Sequence, residues 1–268
     1  MTAWDALTTR RAGVPVFAPG HVWLAGAGPG DPGLLTLDAL AGLAQADVIV
    51  HDALVDSRVL ALAGAQARLE FAGKRGGKPS AQQADISQRL VALARAGERV
   101  LRLKGGDPCV FGRGAEEAMA LATAGVPFRI IPGVTAGIAA LTAAAIPLTV
   151  RGINRAVVLA AGYGADDAGG PNWTQLARTG APLVLYMAMH HLAEIAAALM
   201  RGGLVASTPA AVIVSATLPG ERIVVSTLGE IAEDARRHGL EPPAIVVIGD
   251  VVTVRERLRQ AIGAEPSP

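Results

Sequence analysis

Cysteine is nearly absent from this chain of 268 residues, in which Cys109 is the only example. One cysteine forms no internal disulfide, and it cannot build a multi-cysteine zinc site. This scarcity is typical of a reducing compartment, so we expect the protein in the cytoplasm. The sequence also offers none of the usual metal-ligand constellations, so we expect no metal centre.

Long apolar runs are also lacking. No run reaches the ~18–20 residues that span a bilayer, and Pro147 interrupts the most apolar stretch, residues 137–150. The Arg10-Arg11 pair is typical of one kind of export signal, but no apolar segment follows it. We therefore expect no membrane partner and interpret residues 1–20 as a flexible leader.

Neither sign of charge dominates, since 24 lysines and arginines face 23 aspartates and glutamates. A chain this balanced has no overall positive field, so we expect no nucleic-acid partner. Aromatic residues make up only 3% of the chain, although 51% of it is hydrophobic. A core of alanine, valine, leucine and isoleucine is therefore expected, which is typical of buried parallel sheets.

Strand-like and helix-like segments alternate along the chain, which predicts two α/β domains with mixed, mostly parallel sheets. The predicted strands are residues 21–26, 47–50, 68–71, 99–103, 128–131, 156–161, 183–186, 210–215, 222–226 and 244–248. The predicted helices are residues 34–44, 56–63, 81–96, 115–124, 135–145, 192–201, 228–237 and 253–262.

We place the domains at residues 21–133 and 134–256, with a tail over residues 257–268. Pro219 and Gly220 separate two strands of the second domain, which predicts an antiparallel hairpin. Residues 162–172 are polar and rich in glycine, and we expect a mobile loop there.

The first glycine-rich segment, GAGPGDP, follows a predicted strand. From Gly28 its letters match the dinucleotide-binding pattern G-x-G-x-x-G, and an acidic residue, Asp52, ends the next strand. That pattern works by directing backbone N–H groups at a pyrophosphate, however, and Pro29 and Pro32 have none. The segment therefore favours a rigid turn against which a neutral or zwitterionic ligand can lie; a plain tight turn is the alternative.

The second glycine-rich segment, LKGGDPCVFGRG, also follows a predicted strand. Its glycines permit close approach of a ligand to the backbone. Asp107 could meet a ligand ammonium or ribose hydroxyl, or it could cap the following turn. A Walker phosphate loop is not indicated, because Lys104 precedes the glycines and no G-K-[ST] follows.

Taken together, GPGDP, GKRGG, KGGDPCVFGRGAEE and IPGVTAG resemble the motifs of the tetrapyrrole methylases, in the same order along the chain. The resemblance runs from about Val22 to Val252. GPGDP is typical of the whole family, whereas GKRGG with KGGDPxVFGRGxEE is typical of members that act on uroporphyrinogen III.

The resemblance implies a homodimer of two-domain chains, with the active site in the cleft between the domains. It implies S-adenosylmethionine as methyl donor and a small-molecule tetrapyrrole as substrate. The implied reaction is C-methylation of uroporphyrinogen III at C2 and C7, giving precorrin-2 for sirohaem or cobalamin. A later precorrin or another acceptor is the alternative.

The resemblance also implies roles for individual residues, some of which have plainer readings as a helix cap, a surface ion pair or a core side chain. The implied cofactor contacts are Pro29, Gly105, Gly106, Asp107, Val110, Thr135, Ala136, Met187 and Ala216. The implied catalytic residues are Asp52, Lys74, Arg113 and Glu116. The implied substrate contacts are Lys74, Arg75, Arg113 and Arg151. The chain departs from the family pattern at Cys109, Val150, Tyr163 and Ala216.

Overall fold

The computed structural model describes residues 15–72, 83–163 and 170–262. The chain divides into two compact units, which we call the first unit (Met1–Thr135) and the second unit (Ala136–Pro268).

The first unit contains a five-stranded sheet in the order β3-β2-β4-β1-β5, and all four strand pairs are parallel. The strands are β1 (Val22–Gly26), β2 (Val48–His51), β3 (Arg68–Phe71), β4 (Val100–Lys104) and β5 (Phe128–Ile131). The helices described in this unit are α1 (Leu37–Gln45), α2 (Ser57–Leu60), α3 (Gln83–Arg95) and α4 (Gly114–Thr123), with a 3-10 turn at Pro32–Leu34.

Both faces of this sheet are covered, because its central strands β1 and β4 are buried along their whole length. Alternate side chains of a strand point to opposite faces. Trp23 and Leu101 therefore pack in one cluster with Leu43 of α1. Leu24 and Val100 pack in another with residues of α3 and α4.

The strand order creates a switch point between β1 and β4. From β1 the chain continues toward β2 and β3 on one side, whereas from β4 it passes to β5 on the other side. The loops that follow β1 and β4 therefore diverge. In open α/β sheets, ligands bind in the crevice that such a divergence leaves at the carboxyl ends of the strands.

The second unit contains a five-stranded sheet in the order β6-β7-β10-β8-β9. Its strands are β6 (Val158–Ala161), β7 (Leu183–Tyr186), β8 (Pro209–Val214), β9 (Arg222–Thr227) and β10 (Ala244–Ile248). The helices described in this unit are α5 (Ala136–Ala143), α6 (Trp173–Ala177), α7 (Leu192–Arg201), α8 (Ile231–Arg237) and α9 (Val254–Ile262), with 3-10 turns at Met189–His191 and Asp250–Thr253.

The prediction of two α/β units with mixed sheets is confirmed, and the first sheet is wholly parallel. In the second sheet only β6 and β7 are parallel, because β10 lies antiparallel between β7 and β8. The buried sequence AIVVI of β10 suits a central strand of either direction. The predicted hairpin is confirmed as β8 and β9. Helix α6 was not predicted; Asn172 caps it by accepting a hydrogen bond from the N–H of Gln175.

Within the predicted leader, the described residues 15–20 include one side chain that packs against the first unit. The ring of Phe17 is 2% exposed and stacks on Trp23, with the ring centroids 4.2 Å apart. The Phe17 N–H donates to the side chain of Gln45, which in turn donates to the Pro15 carbonyl. Residues 1–14 lie outside the described residues.

The amino ends of β2 and β4 are joined by Asp47 and Arg99. The Asp47 carboxylate accepts hydrogen bonds from Arg99 Nη2 at 2.7 Å and from the Arg99 backbone N–H at 2.8 Å. Hydrogen bonds from the Arg99 side chain are the largest cause that lowers the pKa of the Asp47 carboxyl.

This pair predicts a pH-dependent contribution to stability. A lowered folded-state pKa stabilises fully above the unfolded-state value of about 4, and the gain is lost as the pH falls through the folded-state value. Solvent screens the partly exposed pair, so we expect Asp47→Asn to lower the free energy of unfolding by about 1 kcal/mol at pH 7. The difference should shrink below pH ~4. Urea denaturation at both pH values measures it, with Glu241→Gln as an exposed control. An equal loss of unfolding free energy at both pH values would contradict the assignment of this pH dependence to Asp47 and Arg99.

Candidate functional site

The two glycine-rich loops are hydrogen-bonded to each other at the switch point. The N–H of Ala27 donates to the Lys104 carbonyl at 2.7 Å. Gly28 and Gly106 then exchange two hydrogen bonds, at 3.2 Å and 2.7 Å, and form an isolated antiparallel bridge. The amides of Ala27, Gly28 and Gly106 are therefore already bonded to the facing loop.

Three glycines permit this approach, because their backbones touch. A Cβ on Gly26 would lie 2.5 Å from the Gly106 carbonyl oxygen, and a Cβ on Gly133 would lie 2.2 Å from the same oxygen. No side chain fits at such distances. Gly105 is similarly restricted, since a Cβ there would lie 2.8 Å from Cβ of Leu54. The ends of β1, β4 and β5 are thus held together by backbone contact.

Further along the first loop, the N–H groups of Gly33 and Leu34 are bonded within the loop itself. Asp31 accepts hydrogen bonds from Gly33 on its side chain and from Leu34 on its carbonyl, at 2.8 Å and 3.0 Å. A pyrophosphate would meet an acidic side chain here instead of a row of open donors. The loop geometry therefore disfavours a dinucleotide and favours a ligand without a diphosphate.

Asp107 caps the second loop. One carboxylate oxygen accepts a hydrogen bond from the Cys109 N–H at 2.8 Å, and the other accepts one from the Gly133 N–H at 3.0 Å. The capping alternative foreseen from the sequence is thus present in the structure. A carboxylate has about four acceptor sites, so these bonds do not exclude contact with a ligand.

Four charged side chains form a network beside the end of β2. The guanidinium of Arg102 donates to Glu117 Oε1 at 3.1 Å and to Asp52 Oδ1 at 2.5 Å. The ammonium of Lys104 donates to Glu117 Oε1 at 3.1 Å and lies 3.6 Å from Asp52 Oδ2. Asp52 therefore has a cation at each of its carboxylate oxygens.

This network is almost entirely withdrawn from solvent. The exposed fraction of the side chain is 0% for Glu117, 1% for Arg102 and 4% for Lys104, but 28% for Asp52. Burying an ion costs several kcal/mol unless opposite charges compensate it, and here two cations face two anions. Asp52 is the member of the network that reaches solvent, at the carboxyl end of β2.

Asp52 was expected from the sequence, but the roles of Arg102, Lys104 and Glu117 were not. A signal was present, because two cations occur within the otherwise apolar strand VLRLK and charged residues are seldom buried without partners. Glu117, which lies on α4, could not be matched to them from sequence spacing.

Arg113 and Glu116 form a bidentate ion pair at 2.8 Å and 2.6 Å. Their side chains are 57% and 54% exposed, so the pair adds little stability. Hydrogen bonds from Arg113 are the largest cause that lowers the pKa of Glu116. The backbone is left-handed at Phe111 and Arg113, with φ of 53° and 58°. Such conformations cost about 1–3 kcal/mol and often mark functional loops.

The second unit places several predicted residues at one edge of its sheet. Because β7 and β8 are both antiparallel to β10, their carboxyl ends lie at the same edge. Met187, which follows β7, is 56% exposed and left-handed, with φ of 56°. Ala216 lies between two further left-handed residues after β8. Ala136 begins α5, whose Gly137 N–H donates to the Tyr186 hydroxyl at 3.0 Å.

The remaining predicted residues have varied positions. Thr135 is buried at the end of the first unit, and Pro29 and Val110 are half-buried in the two glycine-rich loops. Arg151 is exposed in the loop before β6. Lys74 and Arg75 lie outside the described residues. Within the described ranges, no group of three metal-binding side chains occurs, and no helix is long and apolar enough to cross a membrane.

A family model described as tetrapyrrole (corrin/porphyrin) methylases matches residues 21–232. The match covers more than half of the chain, so the chain belongs to the tetrapyrrole methylase family. The resemblance drawn from the motifs is therefore confirmed.

Individual relatives indicate which members of this family the chain is similar to. The chain is 55% identical over 251 residues to a uroporphyrinogen-III C-methyltransferase of Sinorhizobium sp., covering 92% of this chain and 89% of that protein. It is 50% identical over 233 residues to the Pseudomonas aeruginosa protein of the same name, covering 87% and 94%. It also matches a crystal structure of the Thermus thermophilus uroporphyrin-III C-methyltransferase complexed with S-adenyl homocysteine, with a TM-score of 0.75 and 40% identity over 87% of this chain and 99% of that one.

The glycine contacts at the switch point predict a steric effect on stability. Gly133→Ala adds a methyl group against the Gly106 carbonyl oxygen, so we expect a loss of about 1–3 kcal/mol in the free energy of unfolding. Gly220→Ala is the matched control, because a Cβ there meets nothing within 4 Å, and it should change stability by less than about 0.5 kcal/mol. Chemical denaturation compares the two; indistinguishable losses would refute the described contact.

Proposed function

We propose that this protein catalyses S-adenosylmethionine-dependent C-methylation of uroporphyrinogen III at C2 and C7, giving precorrin-2 for sirohaem or cobalamin synthesis. The observation that carries the proposal is the switch point of the first unit, where two glycine-rich loops bond to each other next to a carboxylate at a strand end. The names of the relatives at 55% and 50% identity support the acceptor.

The fit of the cofactor follows from the chemistry of the two loops. The amides of Ala27, Gly28 and Gly106 are occupied, and Asp31 and Asp107 contribute negative charge, which suits a positively charged sulfonium better than a diphosphate. In the first unit the proposed contacts are Pro29, Gly105, Gly106, Asp107, Val110 and Thr135. In the second unit they are Ala136, Met187 and Ala216.

When bound, S-adenosylmethionine supplies a methyl group that is already activated by the positive sulfur. A pyrrole carbon of the substrate forms the new bond with its own electron pair, and the electrons of the broken carbon–sulfur bond remain on sulfur. The task of the protein is mainly to orient the groups, which in favourable cases contributes ~7–11 kcal/mol. The alkylated ring is cationic and becomes neutral by losing a proton.

Asp52 is proposed to receive that proton or to stabilise the cation, with Lys74 assisting. Its carboxylate is partly exposed at the carboxyl end of β2, while its neighbours in the network are buried. Accepting a proton at a positioned side chain contributes about 10²–10⁴ in rate.

The carboxylate arms of the substrate are proposed to bind Lys74, Arg75, Arg113 and Arg151. Guanidinium groups suit this role because they donate two parallel hydrogen bonds to one carboxylate. Arg113 already holds Glu116 in that way. A substrate carboxylate would exchange with Glu116, which would give this pair its proposed catalytic role in activating the substrate.

The protein is further proposed to act as a homodimer in the cytoplasm. The dimer is what the family resemblance implies, and the single cysteine suits a reducing compartment. Light scattering on the purified protein measures the assembly, and a monomeric mass would contradict it.

The proposed function is tested by incubating the protein with uroporphyrinogen III and S-adenosylmethionine. We expect S-adenosylhomocysteine and a doubly methylated product. Asp52→Asn should lower kcat by a factor of about 10²–10⁴. Asp56→Asn is the matched control, because Asp56 caps α2 and asparagine caps a helix equally well; its rate should stay near that of the wild type.

The outcome against the proposal is a folded wild-type protein that yields neither product. Methylation of a later precorrin in the same assay would select the alternative acceptor. Equal rates for Asp52→Asn and the wild type would remove Asp52 from the chemistry but would leave the overall reaction intact.

A further inference from the structure

We propose that Arg102, Lys104 and Glu117 are positioning residues that fix the orientation and the protonation behaviour of the Asp52 carboxylate. The proposal rests on the proposed function, in which Asp52 handles a proton. It adds three residues that act through Asp52 without touching the substrate.

The backbone explains how the three side chains reach one place. Arg102 and Lys104 are two residues apart on β4, so they point to the same face of the sheet. Helix α4 packs against that face, through Ala118 and Leu121, and presents Glu117. Asp52 follows directly after β2, the neighbour of β4, and its N–H donates to the Leu103 carbonyl.

The contacts constrain both oxygens of Asp52. Oδ1 accepts a hydrogen bond from Arg102, and Oδ2 lies near the Lys104 ammonium. Arg102 is itself held by the carbonyls of Val50 and Leu103, at 3.3 Å and 3.4 Å. Arg102 is therefore held by the backbone and by Glu117, Lys104 is held by Glu117, and the two cations in turn hold the carboxylate.

Stability alone does not account for such a network. Buried ion pairs are often no more stable than apolar side chains of the same volume, and the surrounding face is otherwise apolar. What apolar side chains cannot supply is a carboxylate held at the strand end in one orientation. The single partly exposed member, Asp52, is the residue for which a chemical role is proposed.

The charges give the network a distinctive signature. Without the negative charge of Glu117, two cations would act on Asp52 alone and would oppose its protonation. Without the positive charge of Lys104, two carboxylates would share Arg102, and protonation of Asp52 would become easier. Substitutions at the two positions should therefore move the titration of Asp52 in opposite directions.

The other charged or titratable groups near Asp52 are unchanged by a substitution at either Glu117 or Lys104. His51 adjoins it on β2, with ring Nδ1 3.2 Å from the Asp52 carbonyl oxygen, and Phe71 of β3 packs against that ring. On α4, Glu116 interacts with Lys104 at longer range. On α2, Arg58 is paired with Asp56. A difference in sign between the variants therefore reports the network.

The test compares Glu117→Gln, Lys104→Met and the double variant, which again balances cations and anions. The carboxyl ¹³C resonance of Asp52 is titrated by NMR without substrate, and the acid limb of kcat is measured with substrate. Both midpoints should move to lower pH in Glu117→Gln and to higher pH in Lys104→Met. In the double variant both midpoints should return toward those of the wild type.

Two controls separate this effect from loss of structure. Glu98→Gln, near the amino end of the same sheet, should leave both midpoints unchanged. Lys104→Arg keeps the charge and should restore the wild-type midpoint. In Glu117→Gln and Lys104→Met, kcat should fall while KM for S-adenosylmethionine changes less than about threefold. If Glu117→Gln does not fold, the two Lys104 variants test the proposal: both midpoints should rise in Lys104→Met and should match the wild type in Lys104→Arg.

Midpoints that stay unchanged or move in the same direction in folded variants would overturn the inference. The NMR titration needs no substrate, so it also distinguishes the two proposals. Opposite shifts in a protein that yields no product from uroporphyrinogen III would uphold the network and refute the proposed function. Product formation without opposite shifts would uphold the proposed function and refute the network.

Discussion

The paired hydrogen bonds between Gly28 and Gly106 set the form of the crevice in the first unit. They join the loops after β1 and β4 at the point where the chain diverges, and they require bare backbone at Gly26 and Gly133. Because those amides bond to the facing loop, they are not available as donors to an anion. The same closure places Asp107 between two backbone N–H groups. Ligand preference thus follows from backbone geometry more than from any one side chain.

The charges around this crevice also favour a positively charged ligand over an anionic one. Asp31, Asp107 and Asp52 are all carboxylates near the carboxyl ends of β1, β4 and β2, whereas the cations Arg102 and Lys104 are buried below them. A positively charged donor and a cationic reaction product suit such an arrangement. The cost of burying two cations is offset by two anions, and the network leaves its one solvent-reaching carboxylate where the proposed chemistry takes place.

Local signals let the sequence predict the strands, most helices and both glycine-rich loops. Alternating segments, Pro-Gly turns and the GPGDP and GGDP motifs are each contained in a few residues. The direction of β10 depends on the distant strands β7 and β8, and the position of Phe17 depends on Gln45, 28 residues further along the chain; neither was foreseen. The hydrogen bond from Arg102 to Glu117 was not foreseen either, because it joins a strand to a separate helix. For Lys74 and Arg75, which lie outside the described residues, the assigned roles stay predictions.

Membership of the tetrapyrrole methylase family does not by itself determine the acceptor, since one fold serves several chemistries. The claim on which the account depends is narrower: the crevice at the switch point accepts a nucleoside without a diphosphate. Isothermal titration with S-adenosylhomocysteine and, separately, with NAD tests it most directly. We predict saturable heat with S-adenosylhomocysteine and none with NAD. Tight binding of NAD with no response to S-adenosylhomocysteine would contradict it.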